Sequence, residues 1–309
     1  MCVSLVLEGG GASCAYTCGV LDVLMDNNIF IQRTYTVSDG TCSALNYLSK
    51  QRGRSFELFC RYTSKKRNIH RFTFRKKNHY YSFDPAFDKT APEIIPFNYS
   101  EFFKTRMELY VGTTDCQTGE PVFFGFDKKD EHFTTIAASF PSLMASHIFS
   151  FSGRQLFDGS FSVPIPIEQA LEDGCTHNII VMTQKLGCAK SPKYDLSKII
   201  FDKELKQYPN LIEVMHHRHD IYNKEIQLCC ELEKQGRTIV IAPSKPITSG
   251  RYECRTEKLH EIYNMGLSDA KASLQKLQRF IALNDCNPSQ EILPTRTFSG
   301  RLFSPTESL

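Results

Sequence analysis

Apolar residues in this chain gather in short blocks separated by turn-forming residues, and the blocks alternate in period. Residues 3–7, Val-Ser-Leu-Val-Leu, form a mostly apolar run that stops at Glu8 and three glycines. Such a run, closed by turn residues, marks a strand buried on both faces. Residues 14–25 then set Tyr16, Val20, Leu21 and Leu24 on one face at helical spacing, and Asp26-Asn27-Asn28 ends the pattern. Residues 33–37 read as a second strand and 41–50 as a second helix. The opening of the chain therefore predicts a βαβα unit, which implies a parallel α/β sheet.

Further on, residues 109–112 and 122–126 predict two strands joined by a hairpin-like turn, Asp115-Cys116-Gln117-Thr118-Gly119-Glu120. Residues 178–183 predict another buried strand, and 238–242 a late one closed by Pro243. Between them lies a long helix over 211–235, with Leu211, Val214, Ile221, Ile226 and Leu232 as its apolar positions; a final amphipathic helix covers 258–283. No repeat or linker interrupts the pattern, so residues 1–285 are expected to form one domain. Residues 286–309, rich in Ser, Thr and Pro, are expected to be a disordered tail.

Composition narrows the class. A chain of 309 residues can bury a core without staples, and 41% hydrophobic with 23% charged residues is ordinary for a globular protein. A net charge of +3 argues against a dedicated nucleic-acid binder. The twelve cysteines include no CxxC pair, and no secretory leader pattern precedes the first strand. Reduced, mostly buried thiols in a cytoplasmic protein are expected. The uncharged segment 132–153 holds Pro141, His147 and seven serines or threonines, too polar to cross a bilayer; a core strand and a loop facing an apolar pocket are expected there. Residues 61–81 combine Arg61, Lys65, Lys66, Arg67, Arg71, Arg75, Lys76 and Lys77 with interleaved aromatics. Two readings stand for that segment: a solvated insertion, or a lid that meets the anionic headgroups of a membrane surface.

Three short motifs carry candidate chemistry. Gly9-Gly10-Gly11-Ala12 lies where the first strand gives way to a helix, where backbone N–H groups converge on an anion. Its GGGxxC spacing differs from the GxGxxG of a dinucleotide loop. Thr36-Val37-Ser38-Asp39-Gly40 resembles a nucleophile elbow with Ser38 at its tip, though a serine that merely caps the next helix has the same local sequence. A competing frame, Gly40-Thr41-Cys42-Ser43-Ala44, puts Cys42 at the tip. In Leu156-Phe157-Asp158-Gly159-Ser160, Asp158 is either a turn-capping residue or a carboxylate able to take a proton from the serine. His216, His217 and His219 on the long helix read as surface residues rather than a metal site.

In this order the motifs resemble those of the patatin-like phospholipase family, and most closely its bacterial branch. The resemblance also rests on Gly19-Val20-Leu21-Asp22, Tyr47 to Arg54, Pro164-Ile165-Pro166-Ile167-Glu168, Arg218-His219, Tyr222-Asn223 and Ile241 to Pro246. It implies a three-layer α/β/α sandwich with a mostly parallel central sheet. It also implies a lipid ester as substrate, no metal or other cofactor, Ser38 as nucleophile, Asp158 as general base, and Gly9, Gly10, Gly11 and Ala12 as the oxyanion loop. Five residues depart from the family pattern. Ser13-Cys14 stand where Arg-Gly is usual, Thr36 replaces the first elbow glycine, Asp39 sits beside the nucleophile, and Ser160 replaces Gly or Ala. Three activities remain compatible with these residues: a Ser-Asp hydrolase, a catalytically impaired lipid- or partner-binding protein, and a Cys42-dependent acyl transferase.

Overall fold

The computed structural model describes residues 2–64, 96–126, 136, 148–187, 205–249, 253 and 255–284. Strand β1 (Val3–Leu7) runs into a single 3-10 turn (Gly11–Ser13) and helix α1 (Cys14–Asp26). Strand β2 (Arg33–Val37), helices α2 (Asp39–Leu48) and α3 (Arg54–Ser64), and a short helix α4 (Tyr99–Lys104) follow. Next come β3 (Glu108–Asp115), β4 (Pro121–Gly125), β5 (Phe149–Phe151), β6 (Arg154–Asp158) and a second 3-10 turn (Gly159–Phe161). Helix α5 (Ile167–Glu172), β7 (His177–Val181), α6 (Pro209–Lys234), β8 (Thr238–Ile241) and α7 (Thr256–Asn284) complete the order.

One sheet, ordered β5-β6-β3-β2-β1-β7-β8, contains these strands, with β4 pairing to β3. The run β3-β2-β1-β7-β8 is parallel, whereas β4 and β6 lie antiparallel to β3. Alternation along β1 explains the layers. Val3, Leu5 and Leu7 enter a core shared with α1, α2 and α7, whereas Val6 enters one built with α5 and α6. The sheet is thus covered on both faces, as parallel strands with near-continuous apolar sequence require, giving the α/β sandwich expected.

The strands and long helices fall within a few residues of the expected bounds. Three helices (α3, α4, α5) had no counterpart in the sequence reading. The 132–153 segment differs where it is described: Phe149–Phe151 is a half-buried strand at the sheet edge, paired to β6, rather than a core strand. Of the basic segment expected to meet a membrane, 61–81, residues 61–64 belong to the end of α3 and 65–81 lie outside the described residues, as does the 286–309 tail.

Helices α1 and α7 cross closely. Each carries the spacing Tyr-x-x-Gly-x-x-Asp: Tyr16, Gly19 and Asp22 in α1, Tyr263, Gly266 and Asp269 in α7. The two triplets interlock reciprocally. The Tyr16 hydroxyl donates to Asp269 (3.1 Å) and the Tyr263 hydroxyl to Asp22 (2.6 Å). A Cβ on Gly19 would overlap the Tyr263 carbonyl oxygen, and one on Gly266 would overlap that of Tyr16. Desolvation pushes the carboxyl of Asp22 above its usual range, even though the Gly53 N–H and the Tyr263 hydroxyl both donate to it. No helix of the described residues is long and apolar enough to cross a membrane.

Candidate active site

The site forms outside the carboxyl ends of β1 and β2, where α/β sheets present loops to ligands. Val37 ends β2, and the chain turns through Ser38 straight into α2. Ser38 has φ 54°, a left-handed value that a non-glycine residue adopts at a cost of about 1–3 kcal/mol. It is fully buried and makes no side-chain cap to α2, which removes the reading of an ordinary N-cap serine. Its hydroxyl instead donates to Asp158 Oδ2 at 3.3 Å, across 120 residues of sequence.

Asp158 comes to this place because β6 pairs antiparallel with β3, setting Asp158 opposite Thr113, while β2 pairs parallel with β3, setting Val37 opposite Gly112. Strand β3 is therefore the spacer between the two side chains. Asp158 is also a cap: its Oδ1 accepts from the Ser160 N–H at 2.9 Å. Its Oδ2 accepts from the Ser160 hydroxyl at 3.0 Å. Its backbone carbonyl accepts from the Thr114 hydroxyl at 2.8 Å.

The glycine loop lies directly against the serine. A Cβ on Gly9 would stand 2.9 Å from Ser38 Cβ, and one on Gly40 3.0 Å from the Glu8 carbonyl oxygen, so both glycines serve close backbone approach. Gly11, with φ 59°, turns the loop into the 3-10 turn ahead of α1. The four loop residues are not equivalent. The Gly9 N–H donates to the Pro164 carbonyl at 3.4 Å, whereas no backbone carbonyl among the described residues accepts from the N–H of Gly10, Gly11 or Ala12. Glu8, buried just before the loop, accepts from the Thr183 N–H at 2.6 Å and ties β1 to the end of β7.

The unusual positions are accommodated rather than frustrated. The Thr36 hydroxyl meets that of Thr41 at 3.0 Å and donates to the Tyr110 carbonyl at 3.3 Å, so a buried side chain fills space where the pattern has glycine. Cys14 points its thiol at the Glu8 carbonyl (3.8 Å), and burial, aided by the Asp39 charge, pushes that thiol well up. Cys42 stands within α2, not at a turn tip. Burial and Asp39 likewise push its thiol well above the usual range, which disfavours the thiolate that a cysteine nucleophile needs.

Several contributors escaped the sequence reading. Gly112 lies where the Asp158 turn crosses β3, and a Cβ on Gly159 would overlap its carbonyl oxygen. A glycine inside a strand pattern is the available signal for such an approach. Arg218, on α6, donates through Nε to the Ser160 carbonyl at 2.5 Å and lies over the Phe161 ring. His217 and His219 lie beside Asp220, and no group of three or more His, Cys, Asp or Glu able to hold a metal occurs among the described residues.

The family model of Patatin-like phospholipase matches residues 5–171, more than half of the chain, and spans the glycine loop, Ser38 and Asp158. The chain belongs to the patatin-like phospholipase family. Its α/β sandwich is that of this family, whose members act on lipid esters. A second model, a domain of unknown function (DUF6363), matches residues 208–282, which hold α6, β8 and most of α7. Arg218 and the Tyr263-Gly266-Asp269 triplet therefore lie in the segment matched by that second model. The Escherichia coli (strain K12) protein described as "Uncharacterized protein YjjU" is 24% identical over 273 residues, covering 85% of this chain and 74% of its own.

Proposed function

We propose that this patatin-like protein is a serine acyl hydrolase that cleaves fatty-acyl ester bonds of lipids through a Ser38–Asp158 dyad. The observation that carries this reading is the Ser38 hydroxyl on its strained turn, turned away from its own helix and donating to Asp158 at 3.3 Å. In the proposed reaction Ser38 Oγ attacks the ester carbonyl carbon while Asp158 takes the hydroxyl proton. The carbonyl oxygen becomes an oxyanion, stabilised by the N–H groups of Gly10, Gly11 and Ala12; one such donor is worth about 3 kcal/mol. Collapse of the tetrahedral intermediate breaks the ester C–O bond, and Asp158 returns its proton to the departing alcohol. Water then attacks the acyl-serine, again giving a proton to Asp158, and the fatty acid leaves as Ser38 is regenerated.

A fluorophosphonate probe tests this directly. Ser38 is expected to be the labelled residue by peptide mass spectrometry. Ser38→Ala is expected to lose labelling and ester hydrolysis without loss of folding, and Asp158→Asn to slow both by at least about 100-fold. Hydrolysis that persists in Ser38→Ala overturns the reading.

A second reading is a lipid- or partner-binding protein on the same scaffold. It is favoured by the diversion of the Gly9 N–H to Pro164 and by the crowding of Asp158 by Ser160. It predicts no labelling at Ser38 and saturable lipid binding that Ser38→Ala leaves intact. Residues 61–81 remain the proposed membrane-facing element and the cytoplasm the proposed location, at the membrane periphery. Vesicle co-sedimentation that is unchanged when the eight Lys and Arg of 61–81 are replaced by Ser removes that element from the proposal.

A further inference from the structure

The Asp158 carboxylate has two hydroxyls on one oxygen. Oδ2 accepts from Ser160 at 3.0 Å and from Ser38 at 3.3 Å. Oδ1 is simultaneously held by the Ser160 N–H at 2.9 Å. One residue thus grips both oxygens of the proposed base, and the nucleophile makes the longer of the two contacts to the shared one. Proton transfer runs best across about 2.6–3.2 Å, and the Ser38 contact falls just outside that range.

The grip is itself fixed. Ser160 is buried, sits in the 3-10 turn that Asp158 caps, and gives its backbone carbonyl to Arg218 Nε at 2.5 Å. The Arg218 guanidinium also lies over Phe161. With its backbone anchored to α6, Ser160 cannot follow a carboxylate that swings toward Ser38; the hydrogen bond must break for the swing to occur. Breaking it inside a buried site leaves a hydroxyl without its acceptor, which costs more than the same loss in water.

We infer that Ser160 is a positioning residue that restrains Asp158 and slows this site: its hydroxyl holds the carboxylate back from Ser38, so removing that hydroxyl speeds acylation. The inference rests on the Ser38–Asp158 reading and deepens it. The position is usually Gly or Ala in the family pattern, neither of which can make this bond, so the restraint belongs to this chain.

The experiment compares the full-length parent with Ser160→Ala, Ser160→Gly and Ser160→Thr. Two rates are read: fluorophosphonate labelling at Ser38, in which the Ser38 Oγ–P bond forms, fluoride leaves and Asp158 takes the proton, and hydrolysis of a short-chain p-nitrophenyl ester. Both are expressed per folded molecule, with folding measured by thermal melting. Ser160→Ala and Ser160→Gly are expected to label about tenfold faster, the effect of one hydrogen bond to a carboxylate, with kcat raised and KM unchanged. Ser160→Thr, which keeps the hydroxyl, is expected to stay at the parent rate. Structural damage cannot raise a rate, so a gain is diagnostic; having both Ala and Gly guards against one that does not fold. Ser38 labelled at an equal or lower rate in the Ala and Gly variants overturns the restraint and leaves the dyad standing. Ser38 unlabelled in every protein overturns both.

Discussion

At the scale of single residues, the site is built from contacts so close that particular atoms, rather than residue classes, decide them. Gly9 shows this most directly. Its hydrogen faces Ser38 Cβ, and a methyl there would stand 2.9 Å from that atom and 3.2 Å from Val37 Cγ2. Ser38 cannot retreat, because its φ of 54° is already held by the elbow. Gly9→Ala is therefore expected to cost about 1–3 kcal/mol in urea denaturation and to abolish labelling at Ser38. Retained labelling would show that the loop can back away. The glycines and the serine were legible in the sequence because each is a local requirement of a turn. Asp158 was legible only as two alternatives, a capping aspartate or a proton acceptor; its nearness to Ser38, at 3.3 Å, comes from the pairing of β6 with β3 and was not legible. Arg218 and Gly112 were illegible as site residues. Arg218 donates to the Ser160 carbonyl and Gly112 offers its own carbonyl to the close approach of Gly159, partners far away in sequence that no side-chain pattern announces.

Among elements, the reading succeeded where periodicity had room to develop. Strands β1, β2, β7 and β8 are each buried almost throughout, and α6 and α7 are long enough to repeat an apolar face many times. Helices α4 and α5 have six residues each, under two turns, so no stripe can emerge; β5 has three. The crossing of α1 and α7 was invisible for another reason: the two Tyr-x-x-Gly-x-x-Asp triplets acquire meaning only when set against each other. Both glycines face main-chain carbonyls of the partner helix, which cannot rotate aside as a side chain would. Gly19→Ala and Gly266→Ala are each expected to cost more than about 2 kcal/mol, at the upper end for overpacking, and to lower the melting temperature by several degrees. A change within about 0.5 kcal/mol for either would mean that the helices separate freely, and that the reciprocal Tyr–Asp bonds alone hold the pair.

For the molecule as a whole, one buried acid makes stability depend on pH. Glu225 on α6 accepts from the Ile165 N–H at 2.8 Å, which favours its charge. Burial outweighs that bond and, with Glu168 and Glu8 nearby, pushes its carboxyl well above the usual range despite Arg218. The folded state therefore holds this proton more tightly than the unfolded state does. The resulting stabilisation is complete below the ordinary carboxylate range and is lost as pH rises through the elevated folded value. Glu225→Gln keeps a carbonyl acceptor for Ile165 and carries no charge. Relative to the parent, it is expected to gain stability between pH 5 and pH 8 in urea midpoints. A constant difference between the two proteins across that range would mean that Glu225 titrates alike folded and unfolded.

The interlock of α1 with α7 also bears on the order in which the protein is made. The helix that follows the glycine loop leaves the ribosome long before α7, yet its tyrosine and glycine find their partners only after residues 263, 266 and 269 have been translated. A growing chain can close β1 on β2 early, but it cannot lock α1 in place. Ser38 likewise waits for Asp158, 120 residues later. A nascent chain would thus carry all the glycines of the loop, and even both members of the proposed dyad, while α1 is still unclasped. Timing of this kind would keep the proposed centre incomplete until nearly the whole described chain is free to fold around it.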